Sequence, residues 1–289
     1  MDEPDLMSCI VNHVDPVHHP HLYSISQGAR WVGKDAFPAC SEWAEEIEKW
    51  LQFIRDHKVD GMKVWGNFFL PRLRDHAPKR DEALSEIAVA YFLEARCGFP
   101  VKAWEPEGSV GKKGEPLKGE FLVEFQPSGQ IFVEVKSPGW ESEVVRNQGK
   151  GSRRLRQPKH LKGESGRTDP GTAVRQAVAK AYPKLQDSMP TLLIIADDLM
   201  VPLNAWPDAT QDALYCPQAD GYTEGCLAED GCFAGKQYER LGAVGTLNVL
   251  LKDTTFLYRF ALFRNPNCLG SVALPQELFA DYPAYEGLT

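Results

Sequence analysis

Two stretches in the first hundred residues place apolar side chains at helical spacing. The first follows Ser41, a suitable N-cap, and ends near Gly61, with its acidic side chains opposite two tryptophans. The second runs from near Asp81 to about Arg96, where a glycine and a proline stop it. Because this second helix is apolar on nearly every side, we expect it to be buried between two layers of structure.

Short apolar runs predict strands at 101–104, 120–125, 131–135, 191–196, 244–251 and 256–263. The run 191–196 is continuously apolar, which is typical of a strand buried on both faces. A helix over 174–181, ended by Pro183, precedes that strand. Residues 203–240 are rich in glycine, proline, aspartate and cysteine and predict an irregular insertion. The order helix, three strands, helix, strand favours an α/β sandwich with a mixed sheet.

Composition excludes several classes of protein. The 289 residues are 43% hydrophobic and 25% charged, and the net charge of −8 excludes a uniformly basic nucleic-acid coat. No apolar run reaches the roughly 18 residues that a membrane span needs, and the acidic start is no secretory signal. The seven scattered cysteines favour reduced thiols. We therefore expect a cytoplasmic protein without membrane association.

Positive charge is concentrated in residues 146–167, here named the basic segment. It holds eight basic residues and one acid, whereas the rest of the chain carries −15. Its glycines and Pro158 predict a loop. Two interpretations stay open: an arm that binds phosphates through counterion release, or a loop kept soluble by its charge. The candidate nucleic-acid-binding residues are Arg146, Lys150, Arg153, Arg154, Arg156, Lys159 and Lys162, together with Lys180 on the next helix.

The sharpest chemical motif is Glu134-Val135-Lys136 at the end of a predicted strand. Side chains alternate along a strand, so Glu134 and Lys136 project from one face. A carboxylate can bind a hard cation such as Mg²⁺, and a neighbouring lysine can position water and stabilise phosphate charge. Glu120 opens the preceding strand of the same hairpin, so its carboxylate can lie beside Glu134.

Three further polar residues could complete such a site. Glu86, on the buried helix, could supply another metal ligand or a supporting contact. Gln176 and Lys180 are four residues apart on the later helix and therefore share one face, where they could orient water or hold a phosphate.

In this order, Glu86, Glu120, Glu134, Lys136 and the Gln176/Lys180 helix resemble the PD-(D/E)XK nuclease superfamily over about residues 81–198. The resemblance implies a restriction-endonuclease-like α-β-β-β-α-β core with a mixed sheet between helices. It also implies that Glu120, Glu134 and the Val135 carbonyl bind Mg²⁺ or Mn²⁺. Lys136 would then be the catalytic lysine and Glu86 the helix acid.

The chain departs from the superfamily pattern at the first acid. That acid is usually an aspartate after proline, but Gly119-Glu120 stands here. Glutamate reaches farther than aspartate, so either the metal geometry differs or Glu124, four positions on along the same face, takes the role. Some members of the superfamily have lost activity, so the fold alone would not guarantee cleavage.

Simpler structural interpretations exist for each candidate. Glu134 and Lys136 could form an exposed salt bridge on an edge strand, and Glu86 could pair with an arginine. Gln176 and Lys180 could lie on a solvated helix face. Three cysteines in the predicted insertion do not suggest structural zinc, because zinc sites usually begin with two ligands about two to four residues apart; they are Cys216, Cys226 and Cys232.

The sequence therefore predicts three parts: a mostly helical extension at 1–80, a nuclease-like core at 81–200, and an insertion with C-terminal strands at 201–289. We expect Mg²⁺-dependent hydrolysis of nucleic acid, most simply by a DNA endonuclease, with a homodimer as one possible assembly. The alternative is an inactive module of the same fold that binds nucleic acid or a protein partner. A metabolic α/β protein with a surface Glu-Lys pair is a third interpretation.

Overall fold

Seven α-helices are present in the described part of the chain. The computed structural model describes residues 14–28, 41–59, 61–75, 77–125, 129–137, 170–196, 205–215 and 231–279. The helices are α1 (Pro20–Ser26), α2 (Ser41–Asp56), α3 (Gly61–Val64), α4 (Leu70–Leu73), α5 (Ala77–Tyr91), α6 (Pro170–Ala181) and α7 (Ala205–Leu214). Single π-helical turns at Trp65–Phe69 and Phe92–Arg96 join α3 to α4 and extend α5, and a 3₁₀ turn, Tyr182–Lys184, follows α6.

The described strands form one six-stranded mixed sheet and a two-stranded ribbon. They are β1 (Val101–Trp104), β2 (Glu107–Val110), β3 (Pro116–Lys118), β4 (Phe121–Phe125), β5 (Gly129–Lys136), β6 (Thr191–Ala196), β7 (Ala243–Lys252) and β8 (Thr255–Arg264). The large sheet has the order β1-β4-β5-β6-β7-β8, and β2 pairs with β3. Strands β5, β6 and β7 are parallel, while β1–β4, β4–β5 and β7–β8 pair antiparallel. The prediction of a mixed α/β fold is confirmed.

Helix α5 lies between the sheet and the N-terminal helices, as its all-round apolar sequence predicts. Its residues Val89 and Ala90 pack with Val133 and Val135 of β5, on one face of the sheet. Ile87, on the other side of the helix, joins a separate cluster built largely from α2 and the turns that follow it. The two tryptophans of α2 belong to that cluster, so they are core residues.

The opposite face of the sheet is covered by α6 and α7. Val174 and Val178 of α6 pack with Phe132 of β5 and with Leu193 and Ile195 of β6. Strand β6 is buried along its whole length, as its continuous apolar run predicts. Since Glu134 has the same parity as Phe132 in β5, its side chain starts from the α6 face of the sheet.

Two elements differ from the sequence expectation. Helix α7 lies within residues 203–240, where the sequence predicts an irregular insertion. The ribbon β2–β3 has too few apolar residues to give a strand signal, and only its antiparallel pairing defines it. Strands β7 and β8 continue the large sheet directly from β6. In the described ranges, no helix is long and apolar enough to cross a membrane.

Candidate active site

Glu120 and Glu134 face each other across the β4–β5 hairpin. Phe121 pairs with Val133, and the Glu120 amide donates a hydrogen bond of 3.1 Å to the Val133 carbonyl, so the pairing continues one residue beyond β4. Glu134 is fully buried, with 0% of its surface exposed. Because β5 lies between β4 and β6, the interpretation of Glu134 and Lys136 as an exposed pair on an edge strand is wrong.

The Lys136 ammonium lies among three oxygens that come from both strands. Its Nζ forms a close ion pair with Glu134 Oε1 and donates a hydrogen bond of 3.1 Å to the Val135 carbonyl. Glu120 Oε1 lies 4.0 Å from the same Nζ. The oxygens that the superfamily resemblance assigns to a metal therefore converge on one cation of the protein itself.

A second lysine, which the sequence did not single out, completes the cluster. Lys184 Nζ lies 2.7 Å from Glu134 Oε1 and 3.4 Å from Glu120 Oε1. It comes from the 3₁₀ turn after α6, where Pro183 ends the helix. We name Glu120, Glu134, Lys136 and Lys184 the carboxylate–lysine cluster. Its two carboxylates and two ammonium groups balance in formal charge.

Burial and charge act in opposite directions on these groups. Burial raises the pKa of Glu134 above its usual range and Glu120 adds to the rise, although Lys136 and Lys184 partly lower it. Burial lowers the pKa of Lys184, but the Glu134 and Glu120 carboxylates outweigh it, so that pKa is raised above its usual value. The cluster thus keeps Lys184 charged, but its lysines do not fully offset the free-energy cost of burying the ionised Glu134 carboxylate.

The ribbon β2–β3 supports the turn that carries Lys184. Gly108 of β2 packs directly against this turn: a Cβ atom at that position would lie 2.1 Å from the Lys184 carbonyl oxygen. The Ser109 hydroxyl donates a hydrogen bond to the Pro183 carbonyl, and the Gln186 amide donates one to the Glu107 carbonyl. These contacts hold the turn that carries Lys184 against the ribbon.

Glu86 is held by an arginine, which is the simpler of the two interpretations that its sequence position allows. Arg72, in the short helix α4, donates two hydrogen bonds of 2.5 Å to the two carboxylate oxygens of Glu86. Burial raises the pKa of Glu86 to about 7 and Glu120 contributes to the rise, although Arg72 and Lys136 oppose it. The carboxyl therefore lies within electrostatic reach of the cluster but is not part of it.

The remaining predicted site residues lie apart from the cluster. Gln176 and Lys180 are exposed on α6, and among the described residues no hydrogen bond or ion pair joins either to the carboxylates. The structure does not bring Gln176 to the carboxylates, because α6 turns that face to solvent, and a catalytic role for Gln176 stays a prediction. Glu124 forms an ion pair of 2.9 Å with Lys102, so Glu120 is the acid that reaches Glu134.

The glycine before Glu120 has a packing reason. A Cβ atom on Gly119 would lie 2.3 Å from the ring of Phe132, which is fully buried. The Gly119 amide also donates a hydrogen bond of 3.0 Å to the Pro106 carbonyl, which a proline could not do. Both contacts exclude the proline that usually precedes the first acid in the superfamily.

The cluster offers oxygen ligands that suit a hard cation. Glu134 Oε2 is buried and has no hydrogen-bond partner in the described structure, so a cation there would satisfy it. Two carboxylates and a carbonyl are the oxygen donors that Mg²⁺ takes, with water completing its shell. Within the described ranges no group of three or more His, Cys, Asp or Glu side chains forms a metal site. The donor set therefore fits Mg²⁺ only with the Val135 carbonyl and water included.

A cavity of about 170 Å³ opens beside the cluster, with Glu120 and Glu86 in its lining. The candidate nucleic-acid-binding residues between Arg146 and Lys162 lie outside the described residues, as do Cys216 and Cys226. Cys232 is buried and Cys268 is half-buried, and neither forms a disulfide bond within the described residues.

Comparisons with models of known protein families, with curated proteins and with solved structures found no match for this chain.

Proposed function

We propose that the protein is a Mg²⁺-dependent nuclease that hydrolyses phosphodiester bonds of nucleic acid, with DNA as the expected substrate. The observation that carries the proposal is the convergence of Glu120 Oε1, Glu134 Oε1 and the Val135 carbonyl on the Lys136 ammonium. Two buried carboxylates repel each other, so placing Glu120 and Glu134 side by side costs free energy unless a cation lies between them.

The element order gives the proposal its second support. Helix α5, strands β1, β4 and β5, helix α6 and strand β6 follow the α-β-β-β-α-β order of the PD-(D/E)XK core, with the ribbon β2–β3 inserted between β1 and β4. By the resemblance, Glu120, Glu134 and Lys136 correspond to the residues that form the site of that core, and this correspondence supports the proposal. A homodimer remains compatible with this function, since a double-strand cutter often needs two sites.

Each member of the cluster has a role under this proposal. Glu120, Glu134 and the Val135 carbonyl would hold Mg²⁺, which when bound supplies Lewis acidity toward a phosphate oxygen and toward water. Lys136, which already contacts two of these oxygens, would hold the attacking water and stabilise charge at the phosphate. Lys184, which pairs with both carboxylates, would hold Glu134 and Glu120 in place. Arg72 would fix Glu86 at the edge of the site.

A second candidate function is an inactive module of the same fold that binds nucleic acid or a protein partner. One observation favours it: the two carboxylates are already paired with two lysines, so the cluster is balanced in charge without a metal. The basic segment would serve such a module equally well, because polyanion binding needs no catalysis.

Cleavage assays with matched variants test the proposal. The purified protein would be incubated with supercoiled plasmid, linear duplex, single-stranded DNA and RNA, each with Mg²⁺, Mn²⁺ or EDTA. The Lys136→Ala variant removes the ammonium from the cluster. Lys102→Ala removes a lysine of similar setting that pairs with Glu124 on the same sheet, and it serves as the control.

Metal-dependent cleavage that Lys136→Ala abolishes and Lys102→Ala retains would support the nuclease. No cleavage by the folded parent on any substrate, together with nucleic-acid binding, would favour the inactive module instead. Cleavage that survives Lys136→Ala would contradict the assignment of the site.

A further inference from the structure

The cavity beside the cluster has walls of aromatic rings. Phe68 and Phe69 come from the π-helical turn, and Trp104 and Phe121 from the ends of β1 and β4. The rings of Phe69 and Phe121 both lie edge-on to Trp104, at centroid distances of 5.8 and 5.6 Å. Phe68 is half-buried, and the Arg72 guanidinium lies over its ring, 4.7 Å from the centroid, so a ligand would stack on the other face. Such a lining accepts a flat, largely apolar group.

Two polar side chains also line the cavity. Lys63 and Asn67, four residues apart, are exposed and line the cavity. Neither has a hydrogen-bond or ion-pair partner in the described ranges. The acids of the lining are each matched by a cation: Glu105 pairs with Lys118 at 3.5 Å, Glu86 with Arg72, and Glu120 with Lys184. A neutral ring with polar edges suits this lining better than a phosphate does.

The volume limits what can enter. A cavity of about 150 Å³ admits one benzene ring, and this cavity measures about 170 Å³. Pockets that enclose a whole drug-sized ligand are larger, about 300–1,000 Å³. A single ring therefore fits, and the rest of its molecule must stay outside the cavity, whose lining includes Glu120 of the cluster.

We infer that this cavity binds one unstacked nucleobase of the strand whose phosphate lies at the carboxylate–lysine cluster. The inference rests on the proposed function and narrows its substrate class to nucleic acid with an unpaired nucleotide next to the reacting bond. A base paired within a duplex cannot enter, because a single-ring cavity has no room for its partner. Stacking on Phe68 and a hydrogen bond from Asn67 would hold the base, and Lys63 would lie near the adjoining phosphate.

Equilibrium binding without metal tests the cavity independently of cleavage. Fluorescence anisotropy would compare a fluorescein-labelled oligothymidylate with a strand of equal length that has abasic residues throughout, both in EDTA and at one salt concentration. We expect the parent protein to bind the thymidylate at least about fivefold more tightly, the lower range for one stacked base.

Two variants distinguish base binding in the cavity from base stacking elsewhere on the protein. Phe68→Leu keeps apolar packing but removes the ring face, and Asn67→Ala changes an exposed side chain that folding does not need. Both should bring the affinity ratio toward one without weakening abasic-strand binding. Phe125→Leu, at the far end of β4, is the matched control and should keep the ratio.

A ratio near one in the parent protein, or a ratio unchanged in both Phe68→Leu and Asn67→Ala, would overturn the inference. The proposed function fails by a different result, namely the absence of Lys136-dependent cleavage. Base-dependent affinity without cleavage would support a base-binding cavity in a module that is not a nuclease. Cleavage without base-dependent affinity would support the nuclease and refute the proposal that the cavity binds a base.

Discussion

Replacing Lys184 by methionine isolates the contribution of the second lysine of the cluster. Methionine keeps most of the apolar stem of lysine while removing the ammonium. The change leaves the fully buried Glu134 with one cationic partner, Lys136, and leaves Glu120 with only the 4.0 Å approach of the same lysine. Lys180, exposed on α6, provides a matched control for the same substitution.

The magnitude follows from the two contacts. At 2.7 Å the attraction to Glu134 is about 6 kcal/mol for an effective dielectric constant of about 20. Desolvation of Lys184 offsets much of it, and a hydrogen bond to a charged group contributes a net 1.5–3 kcal/mol or so. The raised pKa of Lys184 shows that attraction prevails over its burial. We expect Lys184→Met to lower the free energy of unfolding by about 2 kcal/mol near pH 8.

The pH dependence gives the same reasoning a second test. In the parent protein Lys184 lowers the pKa of Glu134, so removing this lysine raises that pKa further. A carboxyl with a raised pKa in the folded state costs stability as the pH rises from its unfolded value of about 4.5 through the folded value. The deficit of Lys184→Met should therefore be larger at pH 8 than at pH 5, because Lys184 itself stays charged over this range.

Urea unfolding at pH 5 and pH 8 measures both quantities. Lys180→Met should stay within about 0.5 kcal/mol of the parent at each pH, as surface substitutions usually do. If Lys184→Met matches Lys180→Met at pH 8, or if its deficit is equal at both pH values, Lys184 does not stabilise buried Glu134 and the electrostatic account of the cluster is wrong.

Three further predictions concern Gly119, Glu86 and the basic segment. Gly119→Ala should destabilise by about 1–3 kcal/mol in urea unfolding, since its Cβ would overlap a buried ring, whereas Gly66→Ala, with open space around it, should not destabilise. The pKa of Glu86 is about 7 in the folded protein. As the pH rises from 5 to 8, the free energy of unfolding of the parent should therefore fall by about 3 kcal/mol relative to that of Glu86→Gln. Parallel plots of this free energy against pH for the two proteins would refute that pKa. Three arginines of the basic segment, Arg153, Arg154 and Arg156, can each be replaced by glutamine. The triple variant should reduce the slope of log binding constant against log salt concentration for DNA by up to about 3. An unchanged slope would exclude the segment from the DNA interface.

Local pattern was sufficient to predict most of the large sheet and its helices. Apolar runs marked β6 and the hairpin β4–β5, and the helical repeat marked α2 and α5, because each of these elements buries a periodic set of side chains. The ribbon β2–β3 and helix α7 were missed, since the ribbon has little apolar surface and α7 lies in a stretch rich in helix-breaking residues.

The site was predictable only in part, for a similar reason. Glu120, Glu134 and Lys136 are joined by local strand pairing, so their spacing was enough to bring them together. Lys184 and Arg72 reach the site through the packing of a 3₁₀ turn and of the short helix α4, which no local pattern reports. Gln176 was chosen from helical spacing, but the register of α6 on the sheet turns it to solvent. The proline after α6 was the one signal that the helix ends near Lys184.

The most direct test of the central claim compares Glu120→Gln with Glu124→Gln in single-turnover cleavage of DNA with Mg²⁺. The two residues lie on the same strand, but only Glu120 reaches the lysines of the cluster, whereas Glu124 pairs with Lys102. The account predicts that Glu120→Gln loses at least about a hundredfold in rate, as expected for loss of a group that binds a catalytic metal ion, and that Glu124→Gln cleaves like the parent. Equal rates in the two variants, or a loss confined to Glu124→Gln, would contradict it.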